Sequence, residues 1–346
     1  MSPRAFYSLI LCILPASLAA QAGGITHVDT IPAPSLRNNL FGDPDSRLAT
    51  VYLPPGYSKG AKRYPVVYLL HGFGADHRAF MKGAYQNLNV RISMDSLIRA
   101  GLAKEMIVVT PNARSFFDGS FYANSSVSGN WEDFIVRDLV RYMDRRYRTI
   151  RKSSGRGIAG HSMGGYGAFR IGMRNPDTFA AIYMMSACCL SSIDSLKQLG
   201  SAAWKKAVMV KDTGEFRRAG FIPNIIYGIA GVYSPNPSKP PLFVDLPARL
   251  DGDSLVRVAA IADRWQDTPL AIAPAHARNL RRLHIAFDAG DADGFPDIPA
   301  NVRRLDSLLT SLGIPHDAEV YGGTHGSRIR NRLESKVFPF FSRVLH

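Results

Sequence analysis

The run Gly160-His161-Ser162-Met163-Gly164-Gly165 carries the residue types best suited to covalent chemistry. It has the spacing G-x-S-x-G. That spacing suits a sharp turn from a strand into a helix. A strained serine backbone there lifts the hydroxyl above a sheet edge, and glycines stand where Cβ atoms would collide. A serine hydroxyl is a poor nucleophile near neutral pH. It needs a neutral imidazole to take its proton and a carboxylate to hold that imidazole's tautomer. Ser162 is the expected nucleophile, provided that a histidine and an acid can reach it.

In folds built around such an elbow, the acid and then the histidine follow the serine in loops after late strands. His325 fits, in Gly322-Gly323-Thr324-His325-Gly326 directly after the last strand-like run. His276, His284, His316 and His346 are worse placed. The acid lies in Phe287-Asp288-Ala289-Gly290-Asp291-Ala292-Asp293-Gly294. Asp288 still belongs to the strand end and reads as a structural acceptor. Asp291 and Asp293 both lie in the loop, and residue type alone leaves them open. A calcium loop fails, because its first and twelfth ligands would be Ala289 and Ala300. Two backbone N–H groups must also meet the oxyanion. One is expected from Met163, after the nucleophile. The other is expected from Phe73, in His71-Gly72-Phe73-Gly74 after an earlier strand.

These residues must be carried by a largely parallel sheet with helices on both faces, because strand-like and helix-like patterns alternate along the chain. Expected strands are Leu48–Leu53, Val66–Leu70, Met106–Val109, Gly157–Ala159, Ala180–Ser186, His284–Phe287 and Ala318–Tyr321. Asn130 is the expected cap of a helix that ends at Arg145-Arg146. Helices are also expected over Gly164–Met173, along the face Val302, Leu305, Leu308, Leu309 and Leu312, and at the C-terminus to about Val344. Residues 191–282 are less regular and include a proline-rich stretch, Ser234–Pro241. They read as a lid inserted before the acid-bearing strand, within one domain spanning 23–346. Phe73, Phe116, Phe117, Tyr122 and Trp131 are candidates for an aromatic cleft, although most such residues belong to a core.

Composition sets the wider limits. The 346 residues include 42 Lys+Arg against 28 Asp+Glu, a net charge of +14. The basic residues are scattered and not interleaved with aromatics, so no nucleic-acid partner is expected. No run of eighteen apolar residues occurs, which excludes a multi-pass membrane protein. Residues 1–22 read as a signal peptide, with Arg4, an apolar stretch from Leu9 to Leu14, and Ala20-Gln21-Ala22 at the cleavage position. A secreted or periplasmic location follows, without stable membrane insertion. Beyond that leader only the adjacent Cys188 and Cys189 remain. Bridging them would strain the ring, so two buried thiols are expected. No metal-hydrolase, P-loop or dinucleotide motif appears, and neither cofactor nor metal is expected.

Together, Tyr68-Leu69-Leu70-His71-Gly72, the Gly160–Gly165 run, Gly290-Asp291-Ala292-Asp293 and Gly323-Thr324-His325 resemble the esterase D-like branch of the α/β-hydrolases. That branch includes S-formylglutathione hydrolases, feruloyl esterases and mycolyltransferases. The start Asn130-Trp131-Glu132-Asp133-Phe134 is similar too. The resemblance implies an α/β-hydrolase fold and a serine carboxylesterase. In the family pattern a glycine precedes the acid by three residues, which selects Asp293 after Gly290. The implied substrate is a small-molecule or saccharide ester, hydrolysed through an acyl-enzyme. An acyltransferase would use the same residues. A non-catalytic binding module on a hydrolase scaffold is the other alternative.

Overall fold

Val66-Val67-Tyr68-Leu69-Leu70 is apolar at every position, and every one of these residues is fully buried. Each such side chain contributes about 1.5–3 kcal/mol. A strand with no polar face must lie inside a sheet covered on both sides. In the computed structural model, which describes residues 23–81, 85, 87–191 and 201–346, it does. The expected leader lies outside the described residues.

The sheet has eight strands: β1 (Ile25–Pro32), β2 (Ser46–Leu53), β3 (Val66–Leu70), β4 (Ile107–Pro111), β5 (Arg156–His161), β6 (Ala181–Met185), β7 (His284–Gly290) and β8 (Asp317–Tyr321). Their order is β1-β2-β4-β3-β5-β6-β7-β8. The β1–β2 and β2–β4 pairings are antiparallel and the other pairings are parallel. Apolar clusters fill both faces. Each expected strand is present: Val66–Leu70 has the expected ends, and no end of the others moves by more than three residues. Strand β1 was not foreseen.

The main helices are α1 (Val90–Arg99), α2 (residues 131–146), α3 (Met163–Arg174), α4 (Ser201–Met209), α5 (Thr213–Ala219), α6 (Phe221–Tyr233), α7 (Asp297–Ser311) and α8 (residues 329–344). Asn130 precedes α2 but its side chain makes no capping bond. Instead Glu132 is drawn inward. It accepts from Arg174 and Asn175 at 3.1 Å each, which joins the start of α2 to the end of α3. Helices α4 to α6 and the short hairpin Ala248–Asp251/Ser254–Arg257 fall between β6 and β7.

Candidate active site

Ser162 sits between β5 and α3 with φ 57° and ψ −117°, a conformation costly for any residue with a Cβ. Backbone bonds hold it there. Its N–H donates to Met185 O at 3.0 Å, and its carbonyl accepts from Tyr166 N–H at 3.0 Å and Cys188 N–H at 3.3 Å. The glycines permit the close crossing beneath. A Cβ on Gly164 would lie 2.1 Å from Leu70 O, and one on Gly160 would lie 2.2 Å from the Gly164 carbonyl. Neither obstacle is a side chain that could swing away. Met163 opens α3, so its N–H precedes the first intrahelical turn.

The three aspartates of the β7 loop have three different partners. Asp288 is fully buried and accepts from Tyr183 Oη at 2.6 Å and Arg332 Nε at 2.9 Å. Burial pushes its carboxyl up to about 6 despite the guanidinium. Asp291 accepts from Gly323 N–H at 3.0 Å and so pins the loop that follows β8. Asp293 lies 2.7 Å from His325 Nδ1, its side chain wholly shielded from solvent while the imidazole is about a quarter exposed. Its other oxygen accepts from Phe295 N–H at 2.9 Å. With Nδ1–H donating to the carboxylate, His325 Nε2 is left with its lone pair free for a proton. Gly290 lets the two loops touch, since a Cβ there would meet Gly323 O at 2.2 Å.

Two further histidines are structural. His161 Nε2–H donates to the His325 carbonyl at 2.8 Å, and its Nδ1 faces Tyr85 Oη at 3.3 Å. The rings of His161 and His325 are 4.7 Å apart. Burial, then the nearby His325, lowers His161 to about 3, so it stays a neutral donor. His71 donates from Nδ1 to Gly72 O at 2.8 Å and accepts from Ala113 N–H at Nε2 at 2.9 Å. Burial lowers it to about 4. It braces the turn that carries Phe73. The role of His161 was not foreseen, although its place inside the G-x-S-x-G run puts it beside the elbow.

Ser162 and His325 line one cavity of about 220 Å³, together with Gly72, Phe73, Phe121, Phe221, Ile225 and Phe295. Of the five aromatic candidates only Phe73 reaches it. Phe117, Tyr122 and Trp131 are core residues, and Phe116 stacks on Phe41 and Phe216. Helix α6 forms the roof: Phe221 meets the Phe73 ring edge-on at 5.6 Å, and Asn224 Nδ2 donates to Asp118 Oδ2 at 3.1 Å. Cys188 and Cys189 are free and partly exposed against the same cavity. The expectation of two buried thiols holds in part: both residues are half-buried against the core, and the turn after β6 also borders the cavity.

Comparison with known proteins agrees with this architecture. Residues 44–329 match the Esterase family, described as "Putative esterase". An esterase of Mycobacterium tuberculosis is 33% identical over 135 residues, which are 38% of this chain and 27% of that protein. An endo-1,4-beta-xylanase/feruloyl esterase of Xylanibacter ruminicola is 34% identical over 137 residues, 38% of this chain and 18% of that protein. The matched stretch thus spans about a quarter or less of these relatives. Among solved structures, a ferulic acid esterase shares the fold at a TM-score of 0.60 with 24% identity, covering 94% of this chain and 99% of that one. An S-formylglutathione hydrolase from Agrobacterium tumefaciens does so at 0.57 with 15% identity, covering 93% and 96%. The central sheet is that of the α/β-hydrolase esterases.

Proposed function

The chain belongs to the Esterase family, and from that premise we propose that it is an exported carboxylic-ester hydrolase working through Ser162, His325 and Asp293. The observation that carries this reading is the coincidence of three features. A serine is held at positive φ on a strand–helix elbow. It opens into the same cavity as His325. That histidine is bonded through Nδ1 to a shielded aspartate.

In this mechanism Ser162 Oγ attacks the ester carbonyl and its proton passes to His325 Nε2. Asp293 stabilises the imidazolium that results. The Met163 and Phe73 N–H groups stabilise the oxyanion. His325 returns its proton to the departing alcohol, and water then releases the acid from Ser162 by the same steps in reverse order. The leader-like residues 1–22 support export, and the segment between β6 and β7 acts as the lid. Among the described residues no helix is long and apolar enough to cross a membrane.

Cavity size supports a modest acyl group. An apolar cavity of about 150 Å³ holds a benzene ring, so about 220 Å³ accommodates one ring with a short arm, or a short aliphatic chain. The test is a panel of p-nitrophenyl acetate, butyrate and palmitate with methyl ferulate, read beside labelling of Ser162 by a fluorophosphonate. Short and single-ring acyl esters should turn over and palmitate should not. Failure of every ester, with Ser162 unlabelled, would overturn the reading.

A further inference from the structure

The turn after β6 carries two thiols, those of Cys188 and Cys189, that ester hydrolysis does not use. Ser186 and Cys189 both adopt positive φ, 43° and 59°. Such backbone is held only where its surroundings dictate it. Here the Ser186 N–H donates to Asp288 O at 2.7 Å, and the Cys188 N–H donates to Ser162 O at 3.3 Å. The turn is thereby fastened to the acid-bearing strand on one side and to the nucleophile on the other. Both cysteines line the cavity that Ser162 opens into, and neither is bridged. A hydrogen bond with Cys188, followed by burial, pushes the Cys189 thiol well above its usual range. A protonated thiol is a weak nucleophile toward reagents that need one thiolate.

We propose that Cys188 and Cys189 form a dithiol site for trivalent arsenicals inside the acyl pocket, and that its occupation blocks ester hydrolysis. The chemistry balances without an oxidant. Two S–H bonds and the arsenic–oxygen bond break, and two arsenic–sulfur bonds form. The oxygen leaves as water with both thiol protons, and arsenic stays trivalent. A pyramidal arsenic centre takes two sulfurs from one side, which suits neighbouring residues on one turn. A disulfide between the same residues must instead close a strained ring. The organic group of the arsenical then occupies the space between Phe73 and Phe295 that an acyl group needs. Binding stands on the cysteines alone, whereas the blockade rests on the esterase reading.

The experiment treats the full chain with phenylarsine oxide and reads intact mass and p-nitrophenyl acetate hydrolysis. One adduct per chain is expected, with hydrolysis falling to about a tenth or less of the untreated rate at saturation. 2,3-Dimercaptopropanol should restore it, and 2-mercaptoethanol at equal thiol concentration should not. Cys188→Ser and Cys189→Ser, each compared with its own untreated rate and checked for a native thermal transition, should resist the reagent. No adduct on the wild type overturns the proposal. An adduct with undiminished hydrolysis overturns the blockade, as does inhibition of either variant as strong as that of the wild type. Should the untreated protein hydrolyse nothing, the esterase reading fails, while the mass measurement still decides the dithiol site.

Discussion

The floor and the roof of the cavity are built by different means. The floor is local: six consecutive residues from Gly160 to Gly165, two of whose glycines abut backbone, hold Ser162 in one strained conformation. The roof is assembled over distance. Phe221 and Ile225 on α6 meet Phe73 and Phe121 from loops about a hundred residues or more earlier in the chain. Floor geometry is enforced by hard backbone contacts, and roof geometry by side chains that can repack. Changes in the floor should therefore act on the chemical step, and changes in the roof on which ester is accepted.

The largest effect should come from Ser162→Ala. With the proposed nucleophile removed, kcat should fall by about 10⁴ or more, read on p-nitrophenyl acetate, while the thermal transition is kept. A loss under about tenfold would remove Ser162 from the chemistry, and with it the contrast between floor and roof.

Next comes the proposed acid. Asp293→Asn should cost about 10²–10⁴ in kcat by disturbing the His325 tautomer. Asp291→Asn should cost under about tenfold, because the amide oxygen still accepts from Gly323 N–H. Full activity in Asp293→Asn beside a collapse in Asp291→Asn would exchange the two roles.

This pair also marks the limit of what the residues disclose. The elbow was legible, because glycine, serine and glycine at fixed spacing have one steric explanation. The place of His325 after the last strand marked it as the histidine to meet an aspartate of the preceding loop, and it does meet Asp293. Asp291 and Asp293 were not separable by type. What distinguishes them is the course of a loop braced across Gly290 and Gly323. Strand β1 escaped because it is an edge strand with only Ile31 buried, leaving no apolar pattern to read. Helix α1 did have a signal, with Val90, Met94 and Leu97 buried at helical spacing. Helix α6 is apolar nearly all round, so no stripe announced which face would cover the cavity.

The floor and the turn after β3 beside it should also be the acid-sensitive part. An unfolded histidine takes a proton near pH 6.5. Folded His71 resists until about 4 and His161 until about 3, chiefly through burial. Between those values the unfolded chain binds more protons, so stability rises with pH across the window. It is present above about pH 6.5 and drains away as pH falls toward 4. The His71 shift alone corresponds to on the order of 3 kcal/mol. Burial of Asp288, whose carboxyl is pushed up to about 6, works the other way over the same window, but one carboxylate is outweighed by two histidines. Urea midpoints at pH 7, 5.5 and 4.5 should therefore fall in that order, and a midpoint that rises toward pH 4.5 would mean that these histidines are not buried neutral.

The smallest effect belongs to the roof. Phe221 is 55% exposed, so truncating it leaves no sealed void and little strain. Phe221→Ala removes one wall of the cavity without touching the Ser162 backbone or the bond between His325 and Asp293. The lost contact is made before and during the reaction alike, which raises KM and leaves kcat nearly unchanged. KM for a single-ring acyl ester should rise by about threefold to tenfold, the range of a partly exposed apolar contact. For p-nitrophenyl acetate, whose acyl group is too short to reach α6, it should hardly move. A fall in kcat on both esters would mean that the roof also positions the elbow, and the division between hard floor and adaptable roof would not hold.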